Sequence, residues 1–147
     1  LFSFNGLDCV GAAERQKALA EIFRVTKKGG RIIFSTHNIL SLPNLNRVRL
    51  HRDPRVVIRR IFRRLKYLRI NRQLLSQPLG DIVFLLDGTH DFQMELAYVN
   101  TRWQYGVLEK LGCASIRTFE LTHGLEINKA QLETDRSTWI YFLCIKA

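Results

Sequence analysis

Cysteine is scarce in this chain, and long apolar runs are missing from it. The three cysteines among 147 residues lie far apart, and they have neither the spacing of a zinc site nor the even number of a disulfide framework. The longest apolar run, residues 139–145, is far shorter than the ~18 residues needed to span a bilayer. These absences predict a cytoplasmic protein without disulfides, zinc or membrane-spanning helices.

Two kinds of catalytic site also lack their sequence signals. The four histidines, His37, His51, His90 and His123, are scattered and have no paired acidic neighbours at ligand spacing, so no metal site is expected. No G-x-S-x-G motif occurs, and the nucleophile turn of an α/β-hydrolase is therefore not supported.

Acidic residues are almost absent from residues 47–72. This segment holds ten arginines and Lys66 against the single acid Asp53. Because basic and acidic residues are equal in number elsewhere, the segment carries the whole formal net charge of +10. Asp53-Pro54 is typical of a helix start, and the spacing after it predicts an amphipathic helix over residues 54–69. Its candidate anion-binding residues are Arg55, Arg59, Arg60, Arg63 and Arg64.

Three roles are open for this basic helix. It could be a lid whose apolar side packs on the missing N-terminal half, or a surface that binds anionic membrane, or one that binds nucleic acid. No nucleic-acid motif accompanies it, which favours the first two roles. Peripheral membrane attachment is accordingly an alternative to a purely cytoplasmic location.

The N-terminal residues predict a strand, a helix and a second strand. A short apolar run near residues 1–5 ends at Asn5-Gly6, and helical periodicity follows over residues 12–25. Gly29-Gly30 ends that helix, and the next strand lies near residues 30–36. A parallel crossover of this kind places residues 5–8 and 35–38 side by side at a ligand crevice.

The remaining residues predict a helical and hairpin segment followed by a second α/β part. Strands are expected over residues 82–86 and 92–99, joined by a turn at Asp87-Gly88. A helix is expected over residues 102–111, ended by Gly112, with two further strands near residues 114–121 and 138–146.

Several motifs together resemble class I S-adenosylmethionine-dependent methyltransferases from their fourth strand onward. They are FNGLD, Arg15, Glu21-x-x-Arg24-Val25 and KKGGRIIFS-x-HN. The family's usual Leu-Lys-Pro-Gly-Gly turn is replaced here by Thr-Lys-Lys-Gly-Gly. The resemblance implies an α/β fold with a partial Rossmann-like sheet, whose last two strands form an antiparallel end. Residues 39–99 would then be an insert that covers the acceptor side. A nicotinamide-binding fold shares the simpler strand–helix–strand pattern.

The family's glycine-rich cofactor loop, G-x-G-x-G, does not occur in this sequence. We therefore expect residues 1–147 to be a single partial domain, the C-terminal portion of a methyltransferase whose N-terminal half is its partner. S-adenosylmethionine is the implied cofactor, and we expect little activity from this portion alone. The acceptor is unidentified, either a small molecule or a lipid-linked one.

The resemblance also implies functional residues. Phe4, Asn5 and Gly6 correspond to the loop that contacts the methionine part of the cofactor, although Asn5-Gly6 alone is also a simple turn. His37 and Asn38 are the best-placed polar groups for an acceptor, and His37 is a candidate base. The alternative for His37 is a loop histidine bonded to backbone.

Five further residues have assigned roles. His90 is a second candidate base, and Tyr98 is a candidate acceptor contact, although an aromatic residue in an alternating strand is more often core. Asp8 could cap the following segment or face a ligand, and capping is the expected role. Arg15 and Arg24 are expected to brace their helix through carboxylates such as that of Glu21.

Overall fold

The computed structural model describes residues 5–147, which form a mixed α/β fold around one open sheet. Four α-helices are present in this range: α1 (Ala12–Val25), α2 (Pro54–Ile70), α3 (Arg72–Leu75) and α4 (Thr101–Lys110). The strands of the same range are β1 (Arg31–Asn38), β2 (Ile82–Leu85), β3 (Leu96–Val99), β4 (Cys113–Glu120), β5 (Glu126–Ile127) and β6 (Trp139–Lys146). Short 3-10 helices occupy Gly6–Cys9, Ile39–Asn44, Thr89–Phe92 and Gln131–Glu133.

The sheet has the strand order β2-β3-β1-β6-β4-β5 and is mostly antiparallel. Within residues 5–147, the pair β1–β3 is the only parallel one, with His37 opposite Tyr98. The strand predicted near residues 1–5 lies outside the described residues except for Asn5. The structure therefore gives no test of the parallel crossover predicted between that strand and β1.

The antiparallel end of the sheet is present as predicted. β6 lies between β1 and β4 and runs antiparallel to both, from Arg31 opposite Ile145 to His37 opposite Trp139 on the β1 side. The rings of Phe34 and Phe142 stack across β1 and β6 with centroids 5.2 Å apart. These pairings give the sheet a core that also includes Leu19 and Phe23 of α1.

The predicted hairpin is present but has a different connection. β2 and β3 pair antiparallel, yet the returning strand begins at Leu96, four residues later than expected. Residues 86–95 replace the tight turn predicted at Asp87-Gly88, and several of them have positive φ angles. Because β3 also pairs with β1, the segment predicted to be an insert contributes two strands to the main sheet.

α2 confirms the predicted helix, and arginines make several of its contacts with the rest of residues 5–147. Asp53 accepts a hydrogen bond from the backbone N–H of Arg55 (2.8 Å) and caps the helix start. Three arginines on the packed side donate to backbone carbonyl groups: Arg60 to Arg49 (2.8 Å), Arg63 to Gly88 (3.1 Å) and Arg64 to Leu45 (2.5 Å). Loop carbonyl groups need donors, and these guanidinium groups supply them.

The apolar arc of α2 consequently faces outward. The exposed fractions are 52% for Ile58, 42% for Ile61, 67% for Phe62 and 56% for Leu65. Tyr67 is the buried residue of this helix. The lid role, in which this arc packs on the missing N-terminal half, stays a prediction. No helix in this range is both long and apolar enough to cross a bilayer.

Candidate functional site

Asn5 and the end of β1 lie in direct contact. Asn5 has a left-handed backbone conformation (φ 53°), which asparagine tolerates better than most residues, and its N–H donates to the Ser35 hydroxyl (3.1 Å). Its side-chain Nδ2 lies 3.2 Å from Nε2 of His37. The two polar segments that the sequence placed at one crevice therefore meet. Phe4, the third predicted cofactor residue, lies outside the described residues.

Asp8 connects these two segments from below the surface. Its fully buried carboxylate accepts hydrogen bonds from the Thr36 hydroxyl (2.7 Å) and from the backbone N–H of His37 (2.7 Å). The same carboxylate lies 2.9 Å from Nδ1 of His37. Asp8 does not cap α1, whose N-terminal flanking residue is Gly11 and which has no side-chain cap hydrogen bond, so the predicted capping role is wrong. Its carboxylate instead bonds residues of β1.

Arg15 stabilises the charge of Asp8. Its guanidinium group is fully buried, lies 3.5 Å from the Asp8 carboxylate, and donates to Thr36 (3.3 Å) and to Gln104 of α4 (2.5 Å). Burial lowers the pKa of Arg15, and the neighbouring Asp8 opposes that shift. Glu21, which was expected to pair with Arg15 and Arg24, pairs with Arg24 (2.8 Å). Both of those side chains extend into solvent, whereas Arg15 is buried.

His37 is held at both ring nitrogens. Because the Asp8 carboxylate can only accept, Nδ1 carries the proton in the neutral ring and Nε2 accepts from Asn5. The ring packs between Tyr98, at a centroid distance of 4.9 Å, and Trp139, at 5.7 Å. This geometry can support a general base only if the Asn5 amide moves away from Nε2.

The other predicted acceptor residues are occupied within the protein. Asn38 accepts from the backbone N–H of Leu40 (3.0 Å) and donates to the backbone oxygen of Asp135 (2.7 Å). The buried hydroxyl of Tyr98 donates to Asp87 (3.1 Å), and burial, followed by the charge of Asp87, raises the pKa of Tyr98. The burial of Tyr98 agrees with the core alternative that the sequence left open for it.

His90 does not join this cluster. It is exposed and lies in the β2–β3 connection with a positive φ of 49°. The hydrogen bonds found in residues 5–147 engage both ring nitrogens of His37 and only the backbone oxygen of His90. The structure thus separates the two candidate bases, one in a buried polar cluster and the other on a surface loop.

A cavity of about 510 Å³ opens next to the cluster. Ile39 follows directly after β1 and Asn100 directly after β3, so the cavity lies beyond the carboxyl ends of the parallel strand pair. Its other lining residues come from the segment after β1, from α2, from residues 75–80 and from the loop before β6. They are Leu40, Leu42, Pro43, Arg64, Tyr67, Leu68, Leu75, Leu79, Gly80 and Arg136.

The sequence reasoning missed this cavity. The signal available was the apolar run Ile39-Leu40-Ser41-Leu42, which follows the polar strand end without a solvent-facing pattern. Asp8 was expected to act as a cap in preference to facing a ligand, and Trp139 was considered only as part of the last strand. In the described part of the chain, no three histidine, cysteine or acidic side chains are grouped to hold a metal ion.

No protein-family model, curated protein or solved structure matches this chain. The functional interpretation therefore depends on the residues and on their geometry.

Proposed function

We propose that this chain forms the acceptor-side part of an S-adenosylmethionine-dependent methyltransferase domain. The observation that carries the proposal is the 3.2 Å contact between the Asn5 amide and His37 Nε2. It brings the Asn-Gly segment and the end of β1 to one edge of the sheet. In open α/β sheets, ligands bind at the carboxyl ends of parallel strands.

The far end of the sheet agrees with the same proposal. The methyltransferase resemblance implies that the last two strands form an antiparallel end, and β4 and β6 pair in this way. β6 also joins this end to β1, the strand that carries His37. A mixed sheet with one antiparallel end is not by itself specific to methyltransferases, so this agreement is only supporting.

Asn5 has an atom that suits the implied cofactor. Its buried side-chain oxygen has no hydrogen-bond partner among residues 5–147, and the amino group of S-adenosylmethionine requires acceptors. Asn5 and Gly6 would hold the methionine part of the cofactor. When bound, that cofactor supplies an electrophilic methyl group on sulfur. The glycine-rich loop that holds most of the cofactor does not occur in this sequence.

His37 would manage the proton of the methyl acceptor. If the Asn5 amide turns toward cofactor, Nε2 becomes free to accept that proton while Asp8 keeps the proton on Nδ1. Asp8 would then stabilise the resulting imidazolium, as a carboxylate paired with a histidine does. Arg15 places a buried positive charge 3.5 Å from the Asp8 carboxylate.

An NMR titration of the isotopically labelled chain with S-adenosylhomocysteine tests this proposal. We expect amide shifts at Asn5, Gly6 and His37 that saturate only in the millimolar range, because the main binding loop is absent. NAD is the control ligand, and it should leave these amides unchanged. Shifts located elsewhere, or equal shifts with NAD, would contradict the cofactor assignment.

Calorimetry tests the second half of the proposal, that these residues are only one side of the site. We expect no heat of binding for S-adenosylhomocysteine at micromolar concentrations. A micromolar Kd for residues 1–147 would show that they hold a complete cofactor site.

A second candidate function is binding to an anionic membrane through α2. The exposed apolar arc of this helix, with Phe62 exposed to 67%, is the observation that favours it. Arg55, Arg59 and Lys66 border that arc on one side and Arg69 lies within it, so an apolar strip lies beside cations as in an interfacial helix. Contact with anionic lipid would also relieve the repulsion among these cations.

Vesicle flotation tests the membrane function. We expect recovery with vesicles that contain phosphatidylserine, less recovery at high salt, and little with neutral lipid. Phe62→Ser should reduce recovery, whereas Leu125→Ser should not, since Leu125 is similarly exposed (61%) but lies in a loop after β4. Equal recovery with both lipids would remove this candidate.

A further inference from the structure

The 510 Å³ cavity has the features of a small-molecule site. Its volume lies within the range of about 300–1,000 Å³ that is typical of ligand pockets. Most of its wall is apolar and comes from Ile39, Leu42, Leu68 and Leu75, together with the Tyr67 ring. An apolar wall of this kind favours a hydrocarbon or aromatic body over a polar nucleotide.

The charges on its wall are all of one sign. Arg64 and Arg136 line the cavity, and its twelve lining residues include no acid. Ion pairs formed within residues 5–147 involve neither arginine. Arg64 uses one of its terminal nitrogens to bond the Leu45 carbonyl group, and its guanidinium carbon lies 5.7 Å from the centre of the Tyr67 ring. Its remaining N–H groups can serve a ligand.

Two neutral polar side chains also line the cavity, those of Asn100 and Tyr67. Asn100 accepts from the backbone N–H of Trp103 (3.2 Å) and donates to the Asp81 carboxylate (3.2 Å), which uses part of its hydrogen-bonding capacity. The buried Tyr67 hydroxyl has no hydrogen-bond partner among residues 5–147, and the two arginines are the charged groups of the wall that can bind a ligand's polar end. Guanidinium groups bind carboxylate and phosphate groups better than they bind neutral groups.

We propose that this cavity binds an apolar small molecule with one terminal anionic group, either a carboxylate or a phosphate. An empty cavity of about 150 Å³ holds benzene, so this volume suits a ligand of roughly twenty non-hydrogen atoms. The apolar body lies against the leucines, and the anion lies between Arg64 and Arg136. Under the proposed methyltransferase function, which this step presumes, such a molecule is the methyl acceptor.

The position of the cavity in the fold supports the role of its ligand as the methyl acceptor. His37 and Asn38 end β1, and Ile39 begins the cavity wall in the next position of the chain. A ligand in the cavity is thus adjacent to the segment that carries the candidate base. The opening also borders α2 at Leu68, whose side chain is part of the exposed apolar arc.

Binding measurements with decanoate, decyl phosphate and decanol, each below its aggregation limit, test the proposal without any cofactor. We expect both anions to bind about tenfold more tightly than decanol, because two arginines face the ligand. Comparing the two anions identifies which acidic group the site prefers. Equal affinity for decanol and for the anions would overturn the proposal.

Variants locate the site. Arg136→Gln should weaken decanoate binding about fivefold, whereas Arg69→Gln, which removes the same charge from a position outside the cavity, should not. Leu79→Trp should block the cavity and abolish binding, and Phe62→Ser, on the exposed arc of α2, should leave it unchanged. If Phe62→Ser weakens binding and Leu79→Trp does not, the ligand lies on the helix surface and the proposal is wrong.

These results are separable from those for the methyltransferase proposal. Anion binding in the cavity with no S-adenosylhomocysteine shifts at Asn5 would retain the ligand site and remove its role as an acceptor site. Shifts at Asn5 without preference for the anionic probes would retain the cofactor assignment and overturn the ligand class.

Discussion

Replacing Arg15 with methionine tests the buried polar network that joins α1 to β1. Methionine has a similar length and no charge, so the change mainly removes the ion pair with Asp8 and the hydrogen bonds to Thr36 and Gln104. Asp8 is fully buried, and its carboxylate would then have no cation beside it except a protonated His37.

The expected cost is large. Removing one partner of a buried ion pair typically costs about 3–5 kcal/mol, because the remaining charge stays buried without compensation. Domains of this size have a total stability of about 5–15 kcal/mol, so Arg15→Met should remove a considerable part of it. Asp8→Asn should also destabilise, and the double variant should cost less than the sum by about 0.5–3 kcal/mol.

Urea unfolding followed by tryptophan fluorescence measures these costs, since Trp139 packs against His37 within the network. Arg24→Met is the matched control. Arg24 pairs with Glu21 in solvent, and its loss should cost about 0.3–0.5 kcal/mol. A cost below about 1 kcal/mol for Arg15→Met, or strict additivity with Asp8→Asn, would refute the network as described.

Three further changes have defined outcomes in the same unfolding assay. Tyr98→Phe should cost about 1 kcal/mol at neutral pH through the lost bond to Asp87. Because the folded pKa of Tyr98 is raised, the unmodified protein should lose stability as pH rises above about 10, and the variant should lose less; parallel losses would contradict this. Burial would raise the pKa of Glu120, but hydrogen bonds from the N–H groups of His123, Leu125 and Thr122 outweigh it and lower that pKa. Glu120→Gln should therefore destabilise at neutral pH and have little effect once pH falls well below about 4.3, and a constant difference would count against it. Asn71→Ala should cost about 2 kcal/mol, since it removes bonds to the backbone of Tyr67 and Leu86; an effect under about 0.5 kcal/mol would show that water replaces them.

The helices could be predicted from local signals. α1 has the bounds that its apolar periodicity indicates, and α2 begins where Asp53-Pro54 places it. Which side of α2 packs on residues 5–147 was not predicted. A helical wheel distinguishes an apolar side of α2 from a basic side. It does not reveal that the backbone carbonyl groups of Leu45, Arg49 and Gly88 accept hydrogen bonds from arginines of this helix.

The candidate site was predictable in part. Asn5 and His37 were identified because polar residues that end neighbouring strands meet at one edge of a sheet. The Arg15–Gln104 bond joins residues 89 positions apart, and a nearby glutamate offered Arg15 a simpler local partner. The pairing of β3 with β1 was equally hidden, because an apolar strand does not specify its neighbours.

A crystal of the chain soaked with S-adenosylhomocysteine at millimolar concentration is the decisive test of whether Asn5, Gly6 and His37 form one side of a methyl transfer site. We expect the Asn5 and His37 segments to lie together and the ligand's amino acid part to contact Asn5 and Gly6. An ordered ligand bound elsewhere, or Asn5 and His37 at separate ends of the molecule, would contradict the assignment to a methyl transfer site.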